Sequence, residues 1–389
     1  MLEILFYVMQ ALAGFIVFAT VWGHVPLDYW WVRGVDFPRI QFIVIGVIAL
    51  AGLLFALIMG MEWTIWQTLL TLALIGSLAW QLRMVLPYTA IWQKEVRSAS
   101  NLNNPTQIKL MVSNVLTSND NTDTVVNLVN QQTPDVLITL ESDKKWENAL
   151  TAIEPNYPYT VKIPLDNLYG MHLYSRFELI DPEVKYLLVE DIPSIHTQIR
   201  LTGGEHDGKV IWLYCLHPMP PSPTEADKST TRDAELLMVG KHIHDSDKTV
   251  ILAGDLNDVA WSKTTRMFQR ISQLLDPRIG RFFINTFHVK FPFLRWALDH
   301  IFHSPCFTLV DIQRMPSIGS DHFPVLTTLQ YEPQVTGEQA QNAPTSSAND
   351  VQDTLEKIEE GREEGEEMSE EHDSELTDND KQVIKRTSN

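Results

Sequence analysis

The sequence predicts an α/β domain at residues 98–332, preceded by three transmembrane helices within 1–97 and followed by a disordered acidic tail at 333–389. Three observations carry this prediction. Three long apolar runs open the chain, short apolar segments ending on polar residues fill its middle, and glutamate dominates its end. The chain has 389 residues with 49 acidic against 30 basic side chains. The excess is uneven: the first 97 residues balance at 5 and 5, residues 98–332 carry 28 and 20, and residues 333–389 carry 16 and 5. So acidic a chain argues against a generic nucleic-acid binder, whose footprint is basic. Two cysteines, Cys215 and Cys306, exclude a disulfide scaffold and a four-cysteine zinc site. Cys215 lies in an apolar run and reads as a reduced core thiol.

The membrane spans are placed at about 4–23, 40–61 and 63–82, each close to the roughly 20 residues that cross the hydrocarbon layer. The first lacks the basic leader of a signal peptide. Trp30, Trp31, Trp63, Trp80, Tyr88 and Trp92 cluster near the span ends, where an interfacial aromatic belt belongs. Arg33, Arg39, Arg83, Lys94 and Arg97 all fall on one side, and neither the N-terminus nor the turn at Glu62 carries Lys or Arg. That bias predicts an integral membrane protein, of a bacterial inner membrane, with its domain on the cytoplasmic face. The linker Pro87 to Pro105 is short and keeps the domain near the surface.

Beyond the linker, one arrangement recurs. A strand-like run over 108–113 leads to Asn114, 135–140 to Glu141, 210–216 to His217, and 249–254 to Asp255 and Asn257. Asp299 and His300 open another such run, and Asp321 and His322 precede a strand-like stretch over 323–329. Helical spacing marks 122–132 and 233–244. Strands that end in polar residues at one sheet edge assemble a single pocket from distant positions. Asn, Glu and Asp are hard oxygen ligands suited to Mg²⁺ or Mn²⁺. Beside histidines and further carboxylates, they match metal-assisted attack of water on a phosphate ester.

The order Asn114, Glu141, His217, Asp255, Asn257, Asp299, Asp321, His322 resembles the endonuclease/exonuclease/phosphatase superfamily over about residues 106–331. The stretches 254–257 and 319–325 are its most specific pieces, and the segment from Tyr169 and Gly170 to Ser175 and Arg176 is similar to a further family strand. The resemblance implies a four-layer α/β/β/α sandwich. It also implies Glu141 as principal metal ligand, with Asn114 and Asp321 completing or neighbouring the metal site. Asp255 would position or activate water, Asn257 would hold a phosphate oxygen, and His322 paired with Asp299, together with His217, would face the phosphate. Arg176 is a candidate substrate-binding residue. Each has a plainer alternative: Asn114, Asp255 and Asn257 also suit turns. His172, His300 and His303 are left unassigned, His242 and His244 read as solvated, and Asp120, Asp143 and Asp258 as turn or surface acids.

The expected activity is hydrolysis of a phosphate ester, as phosphodiesterase or phosphatase, on a lipid-linked or small substrate, with membrane lipids as surroundings and no obligate protein partner. A membrane-bound nuclease acting on DNA or RNA is the alternative, and a non-catalytic scaffold of the same fold a third. Lys263, Arg266, Arg270, Arg278, Arg281, Lys290 and Arg295, against Asp276 alone, form a basic run with interleaved aromatics. It suits substrate phosphates, anionic lipid head groups or an ordinary surface.

Overall fold

A computed structural model describes residues 1–100 and 106–375. Helices α1 (Leu2–Trp22), α3 (Arg39–Ile58) and α4 (Ile65–Val85) are the three apolar spans, joined on one side by the short helix α2 (Trp30–Arg33) and its flanking loop. Phe6, Ala13, Ile16, Phe42, Ala49, Leu53 and Leu74 fill the seam between them, while large apolar side chains such as Ile4, Phe18, Val47 and Leu72 face outward. Outward-facing apolar surface of this extent on all three helices is what a lipid environment requires. Thr64 caps α4 through a reciprocal box with Gln67.

The domain begins earlier than the charge pattern suggested. Val96 already lies in the core between the sheets, Tyr88 donates to the Ala260 carbonyl at 2.7 Å, and Ala99 N–H donates to Leu309 at 2.8 Å. The linker is thus packed into the domain rather than free. Of its residues, 101–105 lie outside the described part of the chain.

The elements that follow are β1 (Gln107–Asn114), α5 (Thr122–Gln132), β2 (Val136–Leu140), α6 (Lys144–Leu150), β3 (Tyr159–Ile163), β4 (Met171–Ser175), β5 (Glu178–Tyr186), β6 (Pro193–Arg200), β7 (Val210–Leu216), α7 (Thr230–Asp245), β8 (Val250–Asp255), α8 (Lys263–Ser272), β9 (Asp299–His303), β10 (Phe307–Arg314) and β11 (Val325–Tyr331). They form a six-stranded sheet, in the order β10-β11-β1-β2-β4-β3, and a five-stranded sheet, β5-β6-β7-β8-β9. Alternation along each strand sorts side chains to two faces. Ile108, Leu110 and Val112 of β1 meet Ile211, Leu213 and Cys215 of β7 in the core between the sheets. The opposite faces are covered by α5 and α6 through Met111, Val125 and Trp146, and by α7 and α8 through Leu252, Leu237 and Phe268. This is the expected four-layer α/β/β/α sandwich. Cys215 and Cys306 are buried, unbridged thiols.

The tail is more ordered than the sequence suggests, which allows only a transient helix over 351–364 within a disordered arm. Past α9 (Thr336–Gln339), residues Ala348–Glu375 form a 28-residue helix, α10, not a disordered arm. It lies on α7. Ile358 enters the apolar cluster behind the second sheet, Asp350 bonds Arg270 at 2.6 Å, and Lys357 bonds Asp28 at 2.6 Å. Gly361 permits the approach, since a Cβ there would stand 2.1 Å from the Ala234 methyl. The acidic face reads as disordered because so few of its residues are apolar, but one apolar stripe and a few ionic partners are enough to seat it. Residues 376–389 lie outside the described part.

Candidate active site

Two parallel strand pairs build the site. In β1–β2, Asn114 pairs with Leu140, so Glu141 emerges beside it. In β7–β8, Leu216 pairs with Gly254, so His217 and Asp255 emerge together, and the antiparallel partner β9 brings Asp299 opposite Asp255. A side chain at Gly254 would put its Cβ 1.9 Å from the Leu216 carbonyl oxygen, so only glycine allows the two strands to end this close. The ends of the two sheets meet where Asn114 Nδ2 donates to Glu141 Oε1 at 2.6 Å and lies 3.3 Å from Asp255 Oδ2. Glu141 (φ +57°) and Asn257 (φ +52°) both occupy the left-handed region, a strain that gathers at functional positions.

His322 links two acids. Its Nδ1 lies 2.9 Å from Asp299 Oδ2 and its Nε2 3.4 Å from Asp255 Oδ2. Burial disfavours the charged ring, but Asp255 and Asp299 outweigh it and push His322 up to about 10. His322 is therefore an imidazolium at neutral pH. Asp255 is fully buried; burial raises its carboxyl, with His322 opposing, and its Oδ1 accepts the Asn257 N–H at 2.9 Å. Burial pulls His217 down to about 4, so it is a neutral imidazole, and its Nδ1 has no hydrogen-bond partner.

Asp255, Asp299 and His322 offer ligand atoms within 4.8 Å of one another. That triple is better described as an acid–imidazole–acid chain, because His322 Nδ1 and Asp299 Oδ2 already satisfy each other. Two buried carboxylate oxygens of the site, Glu141 Oε2 and Asp299 Oδ1, have no hydrogen bond, and of the two residues only Glu141 lines the cavity. Burial pushes the Glu141 carboxyl up to about 7, opposed by Asn114 and reinforced by Asp321 and Asp255. A buried carboxylate oxygen without a donor, beside the Asp321 and Asp255 carboxylates, fits a hard divalent cation.

The cavity above these groups measures about 270 Å³ and is lined by Glu141, His217, Asn257, Asp321 and His322, with Asn114, Asp255 and Asp299 buried beneath. Asn257 Nδ2 donates one hydrogen to the Pro218 carbonyl at 2.9 Å, which orients the amide. Eight of the nine sequence candidates are thus brought together. Arg176 is not. The antiparallel register of β2 and β4 sets Ser175 opposite Val136, so Arg176 lies at the far end of β2, about 16 Å from Glu141 along the strand. There it donates its N–H to the Asp135 carbonyl and stacks over Tyr157. Asp258, expected as a surface acid, is buried; it accepts from Ser262 and Thr265 at the start of α8 and faces Arg232.

The basic run does not form one patch. Arg278 is buried against Asp276, Arg281 donates to the Pro277 and Val96 carbonyls, and Arg295 to those of His288 and Val289. Sequence reasoning missed three cavity walls. Tyr169, bonded to Glu225, reads from the sequence only as part of a family-like strand and not as a wall, and Phe287, which packs on His322, carries no local motif. Phe37 comes from the loop between α1 and α3, a contact no sequence pattern advertises.

A family model, Endonuclease/Exonuclease/phosphatase family, matches residues 111–322. No curated protein matches the sequence. Similar solved structures include D. rerio TDP2 complexed with single-strand DNA product (17% identity, 58% of this chain and 99% of that one, TM-score 0.45). The human Nocturnin catalytic domain with bound sulfate (14%, 59% and 95%, 0.47) and a Bacteroides thetaiotaomicron mannosyl-6-phosphatase (18%, 58% and 100%, 0.45) are also similar. With more than half of its length inside the family match, the chain belongs to the Endonuclease/Exonuclease/phosphatase family, whose members hydrolyse phosphoesters.

Proposed function

We propose that the protein is a membrane-anchored, divalent-metal-dependent hydrolase of phosphate esters that acts at the bilayer surface on a lipid-linked or small phosphorylated substrate. One observation carries the reading: the cavity that holds the unpartnered Glu141 oxygen is walled in part by Phe37, from the segment joining two membrane helices. That segment is held to the domain by Trp261 Nε1, which donates to the Asp36 carbonyl at 2.7 Å, and by Trp30 N–H, which donates to the Asp227 carbonyl at 2.9 Å. Phe291 and Phe293 are exposed beside the start of α3, where Gln41 donates to the Phe293 carbonyl at 2.6 Å, an arrangement suited to the lipid interface.

Glu141, Asn114 and Asp321 would hold Mg²⁺ or Mn²⁺. Bound there, the cation supplies Lewis-acid polarisation of a phosphoryl oxygen and screens the substrate's charge. Asp255 orients the attacking water and takes its proton. His322 stays cationic through Asp299 and donates a hydrogen bond to a phosphate oxygen as charge grows on it. Neutral His217 makes a second such contact, and Asn257 offers its remaining amide hydrogen to the phosphate. The Lys and Arg bias, with Arg33, Arg39, Arg83, Lys94 and Arg97 all on the domain's side, supports a cytoplasmic domain.

The test uses full-length protein in nanodiscs with Mg²⁺, Mn²⁺ or chelator, against phospholipids, lipid-linked phosphates, small phosphomonoesters, plasmid DNA and RNA. Cation-dependent cleavage of lipid or small esters, abolished in Glu141→Gln, is the expected result. Cleavage of nucleic acid alone would replace this reading with a nuclease, and equal inertness of wild type and variant on every substrate would remove catalysis altogether.

A further inference from the structure

We infer that a second cavity, at the junction of the membrane helices with the catalytic domain, is a binding site for a phosphate-bearing anion entering from the membrane interface. The cavity measures about 420 Å³, within the range of small-molecule sites, and is separate from the catalytic one. Its lower wall is the last turn of α1 and the last two turns of α4, which contribute Ala19, Gly23, Trp80 and Met84. Its upper wall is α8 of the catalytic domain, which contributes Lys263, Arg266 and Arg270. Arg33 and Arg39 close it from the loop and from the start of α3, and Asp36 is its single carboxylate lining.

Five cations thus meet around one space, and several are already paired. Arg33 bonds Asp28 at 2.6 Å, Arg39 bonds Asp36, and Arg270 bonds Asp350 at 2.6 Å. Lys263 stands 4.0 Å from Asp353, at the limit of an ion pair. Arg266 differs. Among the described residues its one side-chain bond is to the Met84 sulfur, a weak acceptor, at 2.8 Å. Burial lowers its pKa, and its charged neighbours Arg270, Arg83 and Arg39 add to the effect, opposed by Tyr88. A half-buried guanidinium with no carboxylate of its own, beside Arg270, Arg83 and Arg39, is costly unless an anion joins it. Two of the paired arginines keep one spare donor each. Arg39, more than nine-tenths buried, has an Nε without a partner, and so does Arg33. Three guanidinium groups with spare N–H donors match a phosphate group, whose several oxygens can accept from more than one arginine fork at once.

The apolar floor and the interfacial position favour a phospholipid head group over an anion from bulk water, with the acyl chains running down beside α1 and α4. The site joins α1, α3 and α4 to α8, so an occupant would bind the membrane region and the domain as one body. It rests on none of the residues placed in the catalytic cavity.

The experiment uses the delipidated full chain in a neutral detergent. Native mass spectrometry and thermal unfolding are read during titration with phosphatidylglycerol, phosphatidylcholine of the same chain length, or inorganic phosphate. Phosphatidylglycerol is expected to be retained in preference to phosphatidylcholine and to raise the melting temperature. Arg266→Gln should weaken its retention by about tenfold, the size of one charge-assisted hydrogen bond. Stabilisation by inorganic phosphate equal to that by phosphatidylglycerol, and lost in Arg266→Gln, would support the same site with a soluble anion as occupant. Equal retention of both lipids, or retention unaffected by Arg266→Gln, would overturn the inference. Should Arg266→Gln fail to fold, Lys263→Gln on the exposed rim serves instead, with retention undiminished by the loss of its charge counting against the site.

Discussion

Exchanging Glu235 for Gln should stabilise the protein at alkaline pH and leave it little changed in acid. Glu235 is buried on α7, with Oε1 lacking any hydrogen-bond partner. Burial alone pushes its carboxyl from the usual 4.5 up to about 8. The folded chain therefore favours the protonated acid, while the unfolded chain titrates near the usual value. The stability tied to that proton is complete below about pH 4.5. It declines as pH rises and is gone above about pH 8. Each tenfold gain in proton affinity on folding corresponds to about 1.4 kcal/mol, so the ceiling on the loss is about 5 kcal/mol. Water entering beside the ionised group relaxes part of that, which leaves roughly 2–3 kcal/mol between pH 5 and pH 8.5. Gln has no proton to lose. Thermal unfolding of both proteins across that range should show the variant's advantage growing with pH, by roughly 5–10 °C for a domain of this size. A difference between the two that stays constant with pH would refute the reasoning, because a packing change alone does not titrate.

Four other outcomes follow from the same geometry. Glu141→Gln should lower phosphate-ester turnover by about a thousandfold or more while the fold, read by circular dichroism, persists; turnover within tenfold of wild type would exclude Glu141 as a cation ligand. Asp299→Asn should cut turnover by about a hundredfold and move the alkaline limb of the rate profile to lower pH, since His322 loses one of the two acids that hold it charged; an unmoved limb would dissociate His322 from that limb. Gly254→Ala, whose Cβ would meet the Leu216 carbonyl, should cost about 3 kcal/mol or more and lower the yield of folded protein, as read by size exclusion. Deleting the chain from Ala348 onward should lower the melting temperature by several degrees, because Ile358 leaves its apolar cluster and Arg270 loses Asp350; an unchanged melting temperature would show that α10 is only loosely seated.

Much of the architecture was legible because its signals are local. The three spans needed only length and apolarity, and the helices α1, α3 and α4 move their ends by no more than about three residues. Strands ending at Asn114, Glu141, His217 and Asp255 were visible as apolar runs stopped by a polar side chain. Arg176 was misplaced for a reason of the same kind. It follows a real strand, but which end of the sheet that strand reaches depends on its pairing with β2, and an antiparallel partner sends it away from Glu141. The acidic tail was misjudged because its helix is seated by long-range partners, Arg270, Asp28 and Ala234, that lie more than a hundred residues away in most cases. Asp258 and the basic run were opaque likewise: whether a charge is solvated or paired is set by what folds against it.

The amino-acid order on its own determined the three long apolar helices, the oxygen-rich character of the candidate site and the cast of eight residues brought together there, since each depends on residue type and spacing along the chain. Only the tertiary structure decided that the linker and the loop between α1 and α3 are built into the α/β domain, that Phe37 walls the candidate cavity, and that Arg266 faces other cations across a second space. Those facts are distances between segments far apart in the chain, set by sheet register and by the packing of membrane helices against α8. No local pattern of residues encodes such distances before the elements are in place.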